Sequence, residues 1–126
     1  MATIYEYLTD IPNGTSSFGK QLESSFSTSA TGIITTIPIG AYSDIVNIST
    51  LGTSVATVNV EVTTSSQKTI LAGGGLWLAL TGMTGNTNAV KQGGTNLPIT
   101  GVRFNVTSAV AGTMSYAIIT SCYTGF

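Results

Sequence analysis

Asp44 and Glu61 are the two carboxylates whose spacing could do chemistry: on two facing strands they could act as the paired acids of a glycosidase. Acids this scarce more often mark solvent faces or bond a nearby amine, and catalysis is not the expectation. Ser65-x-x-Lys68 and Ser17-x-x-Lys20 match the Ser-Lys pattern of penicillin-recognising enzymes in letters only. That chemistry needs the pair on one helical turn, beside Ser-Asp-Asn and Lys-Thr-Gly elements that the sequence lacks. Gly73-Gly74-Gly75 and Gly93-Gly94 are not followed by the Lys-Ser/Thr of a phosphate loop and read as turns. There is no histidine, so the commonest general base and metal ligand is missing. The single cysteine, Cys122, cannot close an internal disulfide and is expected to fill a small apolar space near the last strand. Asn13-Gly14-Thr15, Asn47-Ile48-Ser49 and Asn105-Val106-Thr107 fit the glycosylation sequon, as a chain rich in Ser and Thr does by composition. No catalytic residue, metal ligand or cofactor-binding residue is therefore assigned; the expectation is a protein that is not an enzyme and needs no cofactor.

Composition points the same way. Nine of the 126 residues are charged, thirty-six are Ser or Thr, and the mean hydropathy is still positive. Soluble domains keep about a quarter of their residues charged, which holds the surface wet and the molecules apart. A chain this poor in charge is expected to hide outer surface against other subunits. The net charge of −1 and the scatter of Lys20, Lys68, Lys91 and Arg103 argue against a nucleic-acid partner. The most apolar run, Leu76-Trp77-Leu78-Ala79-Leu80, is far too short to span a bilayer, and no membrane partner is expected. Residues 1–7 show no basic region or apolar run of signal-peptide length, so folding in a cytoplasm is expected.

From Ile33 onward the chain reads as successive strands. Val58, Val60 and Val62 alternate with polar residues; so do Val102, Phe104 and Val106, and then Met114, Tyr116 and Ile118. Ile33–Ile39 and Tyr42–Ser49 supply two more strands, Lys68–Ala72 and Leu76–Thr81 another two, and Ala89-Val90-Lys91 a weak one. Seven to eight short strands separated by polar turns predict an all-β, antiparallel β-sandwich or jelly roll over residues 33–126. Phe104 and Tyr116 are expected as an aromatic pair on adjacent strands, and Trp77 as a core anchor.

Residues 1–32 differ: three of the five acids, Pro12 and a polar run from Ser24 to Thr31 fall here. They predict an extended N-terminal arm, with Phe18, Leu22 and Phe26 spaced by four as for one short helical turn. Apolar side chains on an arm need a surface to lie on. Tyr5, Tyr7, Leu8, Phe18 and Phe26 are therefore the candidate assembly-interface residues, because aromatic anchors dominate interfaces. Deleting residues 1–26 is expected to leave the sandwich folded and to abolish binding.

Three segments carry a resemblance: Tyr42–Ser49 leading into Val55–Val62, the strand Gly101–Thr107, and Gly112–Ile119. Together they cover about half the chain and resemble small virion structural proteins of tailed bacteriophages, of β-sandwich type. Residues 82–98 depart from that pattern. The resemblance implies a capsid decoration, or cement, protein that binds and stabilises an assembled head lattice. The implied partners are the major capsid protein or other virion subunits, and the implied state is a homo-oligomer, with a trimer favoured. The implied location is the virion. A tail, neck or fibre component is the nearest alternative, and a carbohydrate-binding β-sandwich the alternative from another class.

Overall fold

The computed structural model describes residues 4–10, 19–39, 45–85, 91–95 and 99–121. Asp44, Phe18, Cys122 and the Asn13-Gly14 turn signal lie outside the described residues. The described chain is built from ten strands and one short helix. The strands are β1 (Ile4–Tyr5), β2 (Thr9–Asp10), β3 (Gly19–Ser27), β4 (Gly32–Pro38), β5 (Ile45–Gly52), β6 (Thr57–Thr63), β7 (Trp77–Ala79), β8 (Lys91–Thr95), β9 (Gly101–Ser108) and β10 (Thr113–Ser121). The helix α1 (Gln67–Leu71) lies between β6 and β7. One sheet runs β1-β4-β9-β6-β7 and the other β2-β3-β10-β5-β8, and every pairing is antiparallel except β1 with β4. The all-β sandwich expected from the sequence is the fold observed, with more strands than the alternation shows.

Period-two patterning decides what faces inward. Val58 and Val60 of β6, Val102, Phe104 and Val106 of β9, Val46 and Ile48 of β5, and Met114, Tyr116 and Ile118 of β10 are all buried in one core. Phe104 and Tyr116 do meet, with ring centroids 4.5 Å apart. They are not on adjacent strands, however: β9 belongs to the first sheet and β10 to the second. Their contact spans the sandwich, and Phe26 completes a three-ring cluster, 5.1 Å from Phe104 and 6.0 Å from Tyr116. The chain passes between the sheets through an arch at residues 109–112. Buried Thr28 holds this arch: its hydroxyl donates to Val110 O at 2.7 Å, and its backbone exchanges bonds with Val110 and Gly112.

The expected arm is corrected by the same geometry. Residues 19–27 form β3, paired along its whole length with β10, so the sandwich begins well before residue 33. Phe26 is 5% exposed inside the core. Spacings of four suit a helix, but two even steps also return a strand to the same face, and Leu22 and Phe26 point inward together from β3. Residues 4–10 form a strap: β1 pairs with β4 in the first sheet and β2 with β3 in the second, and Leu8 between them packs against the core.

Two further expectations change. Lys68–Ala72 is not a strand but α1 and its cap. The Ser66 hydroxyl caps the helix by accepting from Thr69 N, and Gln67 Nε2 donates to Ile39 O and Thr100 O. Local capping outweighs the weak strand preference of Thr69 and Ile70 here. Ile70, 1% exposed, seals α1 onto the outer face of the first sheet. The weak strand expected at 89–91 is observed as β8, beginning at Lys91, and residues 89 and 90 lie outside the described residues.

Candidate assembly surface

The apolar rows of the first sheet run out into solvent at one flank. Ile37, Val102, Val62 and Leu78 are successive cross-strand neighbours on the inner face of β4, β9, β6 and β7. Ile37 and Val102 are fully buried, Val62 is half-buried, and Leu78 is 63% exposed. Leu76, two residues earlier, is 72% exposed, and Leu71 at the end of α1 is 50% exposed. β7 is the outermost strand of its sheet, with β6 on one side only. Leu80 N donates to Val60 O, which fixes the alternation of the ladder. Leu78 therefore turns its N–H and C=O toward β6, while those of Trp77 and Ala79 point outward. An edge of this kind, apolar and uncharged, is a template for further strand pairing.

Trp77 lies on the opposite, outer face and is only partly buried there, so the expected core anchor is corrected. Its indole N–H donates to Gly74 O at 3.2 Å, and the Arg103 guanidinium sits 4.4 Å from its ring centroid. Arg103 Nε also donates to Glu61 Oε1 at 2.6 Å, and Asn105 Nδ2 donates to Glu61 Oε2 at 3.3 Å. Glu61 is thus engaged by a cation and an amide on the neighbouring strand β9. Asp44, the partner imagined for it in a carboxylate pair, lies outside the described residues. Ser65 Oγ accepts from Leu76 N, a structural bond that starts β7. Lys68 lies on the first turn of α1, so Ser65 and Lys68 serve turn and helix.

Of the five candidate anchors, Phe26 is withdrawn by its burial, and Phe18 lies outside the described residues. Tyr5 is half-buried and its hydroxyl donates to Ile70 O at 3.3 Å, tying the strap to α1. Leu8 packs on the core, and Tyr7 remains 55% exposed. The exposed leucines around β7 were missed as a site. Their run stood out by hydropathy, but nothing in the residue order shows that it forms an outermost strand.

The outer face of the second sheet is shallower. A trough of about 330 Å³ crosses β3, β10 and β5 over small side chains, Ser49, Ser115 and Ala117, with Glu23 and Leu51 at its margin. Tyr116 lies beneath, facing the core. Burial pushes its phenol up to about 12; the Ser24 hydroxyl pulls it down and the Glu6 charge adds to the rise.

Fold and surface together define a two-sheet β-sandwich with one flank strapped shut and the other ending in an apolar edge that no described residue covers. No protein-family model matches the chain, and no curated protein matches it. Among solved structures it is similar to the pre-peptidase C-terminal domain of collagenase from Bacillus anthracis, with a TM-score of 0.52, 11% identity, and 93% of this chain and 94% of that one covered. It is also similar to the SPBc2 prophage-derived protein YomS, at a TM-score of 0.47 and 18% identity, covering 80% of this chain and 95% of that one. A third similarity is to the disulfide-linked pili of Bacillus endospore appendages, at 0.46 and 13% identity, covering 83% and 88%. At these identities the collagenase domain speaks for the sandwich fold alone.

Proposed function

We propose that this protein is a non-enzymatic structural protein of a virion, and specifically a capsid decoration protein that binds an assembled phage head lattice and stabilises it. The observation that carries the reading is the leucine edge, which no described residue covers, of a sandwich that has so little charge elsewhere. Leu71, Leu76 and Leu78 stand exposed in a chain with nine charged residues. Exposed apolar surface of this kind marks contact with other subunits. The sequence resemblance supplies the phage context, the capsid protein or other virion subunits as partners, and the homo-oligomeric state. Ser, Thr and Val side chains suit such contacts, because they lose few rotamers when ordered. Stabilisation then follows by mass action: a subunit that binds only the assembled lattice shifts the equilibrium toward it.

The test is mass spectrometry of density-banded particles from the encoding source, alongside their heat stability with and without added protein. Stoichiometric copies in the band, and particles that lose integrity at lower temperature without it, are expected. Absence of the chain from intact particles refutes the virion reading. Copies confined to isolated tails would move the protein to the tail, neck or fibre alternative. A carbohydrate-binding reading has the shallow trough over Ser49, Ser115 and Ala117 in its favour; a glycan array on the same protein, with no binding above background, removes it.

A further inference from the structure

We infer that the β7 edge pairs with the β7 edge of a second copy of this chain, joining two first sheets into one continuous sheet about a twofold axis. The inference rests on the assembly reading above and names the surface that would carry self-association. Three features fix what the occupant must be. It must offer an unpaired strand edge, since the N–H and C=O of Trp77 and Ala79 point outward. It must be apolar, since Leu78 continues the buried row of Val102 and Val62 into solvent. It must also tolerate close approach without charge, since no charged residue occurs from Thr69 to Val90.

Among the described strands, β7 itself meets all three requirements. β8, the other outermost strand on this flank, carries exposed Lys91 and two glycines. The Lys91 charge guards that edge. β1 and β2, the remaining edges, are two residues long.

The register follows from the ladder. Antiparallel pairing of the outward groups sets Trp77 opposite Ala79 of the second copy, and Ala79 opposite its Trp77, with two hydrogen bonds in each pair. The axis passes by Leu78, which meets Leu78 of the second copy in the close, non-hydrogen-bonded position, with Cα atoms about 4.5 Å apart. On the outer face each indole lies beside a methyl group, large against small. On the inner face two leucines cover each other. The same patch serves both copies, as an isologous contact requires.

Light scattering coupled to size exclusion tests this on the intact chain. Ala79→Pro deletes an N–H that β6 does not use, so the β6–β7 ladder survives while the new pairing is blocked. Leu78→Lys sets two ammonium groups against each other on the axis. The unmutated protein is expected at an even multiple of 12.9 kDa, and both variants at half its mass with unchanged circular dichroism. Ile119→Lys, on the outer face of the second sheet, should leave the mass unaltered. An unmutated protein that stays monomeric at every concentration, or a mass unchanged in both folded variants, overturns the inference.

Amide hydrogen exchange provides a readout without mutation. Protection of the Trp77 and Ala79 amides that rises with protein concentration supports the pairing, and fast exchange at all concentrations overturns it. The two proposals fail separately. Particles that carry the chain while the free protein shows no edge pairing defeat this inference alone, and an edge-paired protein absent from particles defeats the virion reading alone.

Discussion

The two flanks of this sandwich meet the same physical problem and treat it differently. Two stacked sheets leave their inner faces open along each side, where inward-pointing side chains would touch water. On one flank residues 4–10 cross from the first sheet to the second, and Leu8 closes the gap. On the other, the row that begins with buried Ile37 ends in exposed Leu78. The strapped flank is satisfied within the chain. No described residue covers the leucine flank, and that asymmetry separates the part of the molecule that secures stability from the part left for the proposed contact.

The comparison breaks most visibly at Phe26. Its ring lies in the three-ring cluster, so Phe26→Ala should destabilise the fold by about 3–5 kcal/mol, read by urea unfolding. Unchanged stability with lost particle binding would restore it to an arm.

Next in size is the contrast between two leucines. Leu8→Ala should cost about 1–2 kcal/mol because the side chain is partly buried. Leu78→Ala, measured at concentrations low enough to keep subunits apart, should stay within about 0.5 kcal/mol of the parent. Equal losses at the two positions would mean that the flanks do not differ.

Ser66→Ala removes the cap of α1 and should cost about 1 kcal/mol. Since Tyr5 bonds the carbonyl of Ile70, amide exchange in the strap should rise in this variant as well. A loss confined to residues 67–71 would separate helix from strap.

The smallest effect at neutral pH is expected for Tyr116→Phe. No hydrogen bond of normal geometry reaches the buried hydroxyl, so its removal should change stability by less than about 1 kcal/mol. At alkaline pH the sign is defined. The folded phenol ionises near 12 and the unfolded one near 10, so between these values the unfolded chain has lost a proton that the native chain keeps. Stability present below pH 10 should therefore fall as pH rises, by at most about 1.4 kcal/mol per pH unit, and the variant should lack this part of the fall. A parent and variant with parallel alkaline curves would show that the phenol is not held in the core.

Legibility in the sequence followed the period of each segment. Val58 and Val60, or Met114, Tyr116 and Ile118, alternate so regularly that the inner face could be read directly. Alternation names a face but not a partner, which is why Phe104 and Tyr116 were placed on neighbouring strands and not across the core. β3 escaped because its polar run of Ser and Glu masks two inward residues, Leu22 and Phe26, whose spacing serves helix and strand alike. α1 depends on one hydroxyl cap and one glutamine amide, signals too local to stand out in a serine-rich stretch. The charge-poor composition raises the question of contacts without placing them on a surface. Only the topology shows that the Leu76–Leu80 run forms an outermost strand.

The position of β10 has a consequence for how the protein is made. β10 is the middle strand of the second sheet, hydrogen-bonded to β3 on one side and β5 on the other, and it is the last of the described strands along the chain. During synthesis β3 and β5 emerge long before the strand that joins them. Until residues 113–121 leave the ribosome, half of the sandwich lacks its centre, and Phe26 and Ile48 have no Tyr116 or Ile118 to pack beneath. Folding of this sandwich must then wait for residues 113–121, and a ribosome stalled before residue 113 would hold a nascent chain with two unsatisfied strand edges, prone to clump with its neighbours on the same message.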